Sequence, residues 1–275
     1  IIIVNKLNII KKIINIKPNL LINDILNTKA NFIKKIKKKE INIINFEDLG
    51  SGSKYADKVI NEIFEEPLNS NHNTIWGHKY FILRNEFLKA NPIKFINKPK
   101  SLLITFGGSD FNNFTSKILG GIAKTCLLYN IKIYIVSGPG YLHISKLKNQ
   151  IKKYKQDGNI IEYIHHAGSM VEIMKKCQIA ITSNGRTIYE LAHMKIPSII
   201  ISHHKREDTH SFSKKNNGFF YLGCYKRNIT EKDVNKYLII LISNFNKRKT
   251  ADNLLRKISF ETNQKRVLKL IESII

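Results

Sequence analysis

Two segments of this 275-residue chain join an apolar run to the small residues that let a backbone approach an anion. In the first, Leu102-Leu103-Ile104-Thr105-Phe106 runs into Gly107-Gly108-Ser109-Asp110. A glycine pair removes two Cβ atoms, so backbone N–H groups can close on a ligand, and phosphates are the usual beneficiaries. The same residues would serve as a tight strand-to-helix turn capped by Ser109 or Asp110, and on this segment alone that plainer use is the better supported. In the second, Ile179-Ala180-Ile181-Thr182 leads through Ser183-Asn184-Gly185 to Arg186-Thr187-Ile188-Tyr189-Glu190. A helix starting there offers unpaired N–H groups and its dipole to a diphosphate, helped by the Ser183 and Thr187 hydroxyls. Glu190 falls about one turn in, where a carboxylate could accept both hydroxyls of a ribose; a capped helix with a solvated Glu fits the spacing equally well.

A third cluster, His203-His204-Lys205-Arg206-Glu207-Asp208-Thr209-His210, packs three His and two acids into eight residues. Zinc sites need a second ligand group at matching spacing, and none exists. The cluster follows an apolar run at 198–202, so it sits at a strand's carboxyl end, where contacts to sugar or phosphate are expected. Arg206 and His210 are the candidates. Cys126, Cys177 and Cys224 lie about fifty residues apart without a CxxC pair, which suits neither zinc nor a disulfide framework.

These turns need a scaffold, and the patterning supplies one. Apolar runs at 20–23, 42–46, 58–61, 101–106, 132–136, 160–164, 179–182, 198–202 and 219–222 read as strands. Helices are predicted over 29–39, 113–129, 142–154, 169–176, 186–193, 209–216, 232–245 and 261–274. Such alternation is the signal of βαβ units on a parallel sheet. Lys98-Pro99-Lys100 reads as a linker, predicting domains at 1–98 and 99–275, with the closing helix packed near the linker.

The chain carries 46 basic and 21 acidic residues, a net +25, and 43% of its residues are hydrophobic. That is ample for packed cores and excludes a disordered chain. Only seven of the basic residues are Arg, and roughly one residue in six is Ile, a pattern of AT-rich coding bias rather than nucleic-acid recognition, which favours Arg. No apolar run is long enough to span a bilayer, and a soluble cytoplasmic protein is expected. The chain opens Ile-Ile-Ile-Val without Met, which leaves room for an upstream or fused domain.

The strand with GGSD, the segment SNGRTIYELAHMKIP and the ending ETNQKRVLKLIESI together resemble the MurG-like GT-B nucleotide-sugar proteins. INIINFEDLG at 41–50 and GHKYFILRNEFL at 77–88 agree in order. Within that group the chain is most similar to the UDP-sugar hydrolases of pseudaminic acid synthesis and to spore-coat polysaccharide proteins. The resemblance implies an α/β fold of two Rossmann-like domains, the first incomplete at its N-terminus, and a UDP-sugar as the partner. It implies that Gly107, Gly108, Ser109 and Asp110 face the phosphates, that Ser183, Asn184, Gly185 and Thr187 cradle them, and that Glu190 holds the ribose. Backbone groups around Ile164 would read the uracil. No metal or cofactor is implied, and His165 and His166 are expected to be plain surface residues.

Two departures from the family concern chemistry. The hydrolases open with a strand and a GxGH-type loop whose His is the expected base, and nothing like it precedes Leu20. They also carry Asp-His-Tyr-Gly where this chain has Asp24-Ile25-Leu26-Asn27. Asp24 and His78 are therefore the candidates for the base. Hydrolysis to free sugar and UDP is the expected reaction, with a glycosyltransferase or a non-catalytic nucleotide-sugar-binding module as alternatives.

Overall fold

The computed structural model describes residues 8–69, 71–215 and 218–275. The chain divides into two compact units, one of the described residues up to Ile82 with Phe260–Ile275, the other of Leu83–Ser259.

In unit 1, helix α1 (Ile9–Ile16) and strand β1 (Leu20–Asp24) lead to helix α2 (Ala30–Lys37), followed by strands β2 (Asn42–Phe46), β3 (Lys58–Asn61) and β4 (Thr74–Trp76). The strands form one parallel sheet in the order β1-β2-β3-β4. Successive side chains of a strand point to opposite faces, and each face is covered. Ile43 and Val59 pack with Ile33 and Ile36 of α2 on one side. Ile44 and Ile60 pack with Val267 of the closing helix Asn263–Glu272 on the other. Ile33 and Ile36 are fully buried, each contributing roughly 1.5–3 kcal/mol of transfer free energy.

Unit 2 begins with the short helix α3 (Asn85–Leu88) and strand β5 (Ser101–Thr105), then α4 (Phe114–Leu128), β6 (Lys132–Ser137), α5 (Ile144–Gln156) and β7 (Ile161–His165). It continues with α6 (Met170–Met174), β8 (Ile179–Ser183), α7 (Thr187–Met194), β9 (Ser198–Ser202), α8 (Lys205–Asp208), β10 (Phe219–Cys224), α9 (Thr230–Ser243) and α10 (Phe245–Arg256). Six parallel strands run in the order β10-β9-β8-β5-β6-β7, so the sheet reverses direction of growth between β5 and β8. Every residue of β5, β8 and β9 is buried. Helices cover both faces of such a sheet, which is why these strands read as unbroken apolar runs.

The units differ from the expected domains. The break falls after Ile82 rather than after residue 98, because residues 83–98 are tied to unit 2. The Ile93 N–H donates to the Met194 carbonyl at 3.2 Å, and the buried Arg248 guanidinium donates to the Asn97 carbonyl. The closing helix, expected in the second domain, covers the first sheet instead. The single helix predicted over 209–216 is replaced by α8 and a 3₁₀ turn at Phe212–Lys214; residue 216 lies outside the described residues. Helices α1 and α10 and the three-residue strand β4 were not predicted. Among the described residues no helix is long and apolar enough to cross a membrane.

Candidate functional site

The carboxyl ends of β5, β6 and β8 converge in unit 2, and glycines set the geometry. Gly107 has φ +75°, a left-handed conformation that favours glycine, and neither Gly107 nor Gly108 has a neighbour within 4 Å of where a Cβ would stand. Gly138, just past β6, is the opposite case. A Cβ there would lie 2.4 Å from the Cα and carbonyl oxygen of Gly108. The Gly140 N–H also donates to the Gly108 carbonyl at 2.9 Å, so the turn 138–140 fixes the Gly107–Gly108 turn from behind.

Two cavities flank that turn. One, of about 280 Å³, is lined by Arg84, Gly107, Gly108, Ser137, Gly138, His166, Ala167, Thr187 and Glu190, among others. The other, of about 420 Å³, is lined by Gly107, Gly108, Ser109, Phe111, Ser183, Gly185, Arg186, Thr187, His203 and Glu207, among others. Gly107, Gly108 and Thr187 belong to both. The start of α7 thus stands beside the glycine turn, with Thr187 as its first residue.

Glu190 lies in the smaller cavity with its side chain only 13% exposed. Burial pushes its carboxyl up to about 7, and the Arg84 guanidinium works against that rise. Arg84 Nε and Nη2 both lie 2.9 Å from Glu190 Oε1.

The remaining candidates separate into groups. Gly107, Gly108, Ser109, Ser183, Gly185, Thr187 and Glu190 line one or both cavities. Asp110 does not. Its carboxylate accepts the N–H groups of Phe114 and Thr115 at 2.8 and 2.9 Å, so it caps α4. Asn184 is fully buried. Its amide donates to the carbonyls of Glu207 and His210 and its oxygen accepts from Ser213, an arrangement that ties residues 207–213 to the end of β8. His210 Nδ1 lies 2.8 Å from the Asn184 carbonyl, and burial holds this imidazole below its ordinary value. Neither Arg206 nor His210 lines either cavity, and Ile164 is half-buried within β7. The loop after that strand supplies the cavity wall instead, through His166 and Ala167.

The imidazoles at 203–210 serve separate contacts. His203 stacks on Phe114 with ring centroids 4.6 Å apart, and His204 Nδ1 accepts the Glu207 N–H at 3.2 Å. Among the described residues no three His, Cys, Asp or Glu side chains are grouped to hold a metal. In unit 1, Asp24 is exposed at the end of β1. His78 Nδ1 lies 2.8 Å from Glu65 Oε2, and the His78 N–H donates to Glu65 Oε1 at 2.9 Å.

Sequence reasoning missed Arg84, His166, Ala167 and the turn 138–140. Gly138-Pro139-Gly140 directly after an apolar run was a readable turn signal. Arg84 was not legible, because 106 residues separate it from Glu190.

A six-stranded parallel sheet with glycine turns opening at its switch point defines a Rossmann-like α/β unit of the kind found in GT-B proteins. Solved structures agree in fold. MurG of Acinetobacter baumannii superposes with a TM-score of 0.66 at 14% identity, covering 96% of this chain and 76% of that one. The Anabaena protein Alr3699/HepE, solved with UDP and glucose, gives 0.61 at 10% identity, covering 99% and 84%. Residues 101–266 match the glycosyltransferase family 28 C-terminal domain, and the chain belongs to that family.

Among curated relatives, an uncharacterized protein of Methanocaldococcus jannaschii is 35% identical over 207 residues, or 70% of this chain. The spore coat polysaccharide biosynthesis protein SpsG of Bacillus subtilis is 27% identical over 202 residues, again 70% of this chain. A Helicobacter pylori protein named as pseudaminic acid cytidylyltransferase and UDP-2,4-diacetamido-2,4,6-trideoxy-beta-L-altropyranose hydrolase is 28% identical over 182 residues, 64% of this chain. The matches span 42%, 58% and 32% of those three proteins.

Proposed function

We propose that unit 2 binds a UDP-linked amino sugar and that the chain hydrolyses it to free sugar and UDP in nonulosonic acid or surface polysaccharide synthesis. The observation that carries this reading is the pair of cavities sharing one wall of Gly107, Gly108 and Thr187. A nucleotide sugar has the same layout, a nucleoside and a sugar on either side of a diphosphate. In this reading the diphosphate lies against the glycine turn and the α7 N-terminus, where exposed N–H groups and the helix dipole favour negative charge. The nucleoside takes the smaller cavity, with Glu190 accepting from the ribose and the backbone near His166 and Ala167 facing the base. The sugar takes the larger one, beside Ser183, Phe111 and His203. Asn184, His210 and Asp110 act behind the surface by holding its loops, and Arg206 lies outside both cavities.

Hydrolysis breaks the bond between the anomeric carbon and the phosphate oxygen, and the electron pair leaves with UDP. A water oxygen forms the new bond and gives its proton to a base. Asp24 and His78 are the candidates, and Glu65 orients the His78 ring. The name of the H. pylori relative supports hydrolysis, and that of the B. subtilis relative supports a place in polysaccharide synthesis. The name of the matched glycosyltransferase family favours a second, transfer of the sugar to an acceptor hydroxyl from the same site.

Incubation with a UDP-diacetamido sugar and no acceptor separates them. Free sugar appearing with UDP supports hydrolysis; UDP released only when an acceptor is added supports transfer. UDP binding without turnover in either assay leaves a binding module. General-base assistance is typically worth 10²–10⁴-fold, so loss of the base by Asp24→Ala or His78→Ala should abolish most of the rate.

A further inference from the structure

Glu190 is a costly residue to bury. A carboxylate that is 13% exposed loses hydration, and the ionised form suffers most. Its one cationic neighbour among the described contacts comes from far away in sequence. Arg84, on the segment leading into α3, directs Nε and Nη2 to Oε1 and leaves Oε2 to the cavity. Arg84 itself is half-exposed, yet it is held in place. Its Nη1 lies 2.8 Å from Glu86 Oε1, Glu86 Oε2 accepts from the Ser169 hydroxyl at 2.7 Å, and the guanidinium sits 5.1 Å over the Phe87 ring. A chain of contacts thus runs from the start of α6 through Glu86 and Arg84 to one oxygen of Glu190.

We propose that Arg84 is a positioning residue that pairs with one oxygen of Glu190 and aims the second at the ribose hydroxyls of a uridine nucleotide. The inference rests on the reading that Glu190 accepts from the ribose. A carboxylate accepts at both oxygens, whereas a protonated carboxyl turns one of them into a donor. Binding of a diol therefore favours the ionised form, and affinity falls as that fraction falls. The charged groups acting on Glu190 are Arg84 and Glu86 from the 83–88 segment, and His166 also lines the cavity. Glu86 opposes ionisation, and Arg84 favours it at shorter range.

The test is UDP affinity by calorimetry from pH 5.5 to 9 for the parent, Arg84→Gln and Arg84→Lys, with 2′-deoxy-UDP as a second probe. All proteins share the titration of UDP's own phosphates, so differences between them isolate Glu190. The parent should lose affinity as pH falls through about 7. Removing a charge at this distance moves a midpoint by about one unit or more, so Arg84→Gln should bind about fivefold more weakly at pH 7 and recover by pH 9. Arg84→Lys should follow the parent closely. A weakening of Arg84→Gln that is the same at every pH, or no change at all, overturns the positioning role. Equal affinity of the parent for UDP and 2′-deoxy-UDP, or no UDP binding, overturns the ribose reading beneath it.

Discussion

The two units use parallel strands with helical cover, and both gather polar residues at the strands' carboxyl ends, but to opposite effect. In unit 1 those residues satisfy one another. The fully buried Asp48 carboxylate accepts from the Thr28 N–H and hydroxyl, the Asn45 amide and the Gly50 N–H, and Asn23 donates to Asn45. A Cβ on Gly50 would lie 2.3 Å from the Thr28 carbonyl oxygen. In unit 2 the glycines at 107 and 108 face open space, and the side chains beside them line cavities. A glycine packed against backbone closes a structure. A glycine with nothing near its missing Cβ leaves room for a ligand.

The largest effect expected from that contrast is in unit 1. Asp48→Ala orphans four donors, three of them buried, at a cost of about 3–5 kcal/mol, yet UDP affinity of the folded protein should be unchanged. Denaturant unfolding beside UDP calorimetry checks both halves of the claim. Gly138→Ala should do the reverse. Its new methyl displaces the Gly107–Gly108 turn, and UDP affinity should fall at least ~100-fold, or about 2.7 kcal/mol. If Gly50→Ala weakened UDP binding as much, the contrast would be broken.

Glu190→Ala comes next. It removes charge-assisted hydrogen bonds worth roughly 1.5–3 kcal/mol in total, so UDP affinity should drop by about one to two decades. Equal affinity for variant and parent would remove Glu190 from the site.

The smallest effect is on stability and depends on pH. Because the Glu190 carboxyl titrates near 7 when folded against an ordinary 4.5, the native state holds a proton that the unfolded chain has released between those values. Stability therefore falls as pH rises through that window, and the penalty is complete above it. Glu190→Gln cannot ionise, so at pH 8 it should be more stable than the parent by about 1–3 kcal/mol. Near pH 4.5 the two should melt together.

Most of this architecture was legible in the sequence because fully buried parallel strands announce themselves as apolar runs. Strand 198–202 and the run at 101–106 are examples, and GGSD and SNGRT marked the turns that line the cavities. What escaped depended on tertiary context. Helix α10 was hidden because its 245–256 stretch is rich in Lys, Arg and Asn, and it buries Arg248 and Asp252 along with Ala251 and Leu255. The boundary at Ile82 was hidden because residues 83–98 are held by distant partners, Met194 and Arg248. The resemblance places Asp110 and Asn184 among the phosphate contacts, whereas the turn's own spacing already offers Asp110 as a helix cap. The Asp110 oxygens do cap α4, and the Asn184 oxygen accepts from Ser213, a partner 29 residues away that no local spacing reveals.

The central claim is that the nucleotide's phosphates lie against the glycine turn and the α7 start of unit 2. Hydrogen–deuterium exchange with and without saturating UDP tests it directly, read on peptides covering 105–111 and 183–190. The account predicts slowed exchange in both peptides with UDP, and loss of that protection in Gly138→Ala. Saturable UDP binding that leaves both peptides exchanging at their free rates would contradict it.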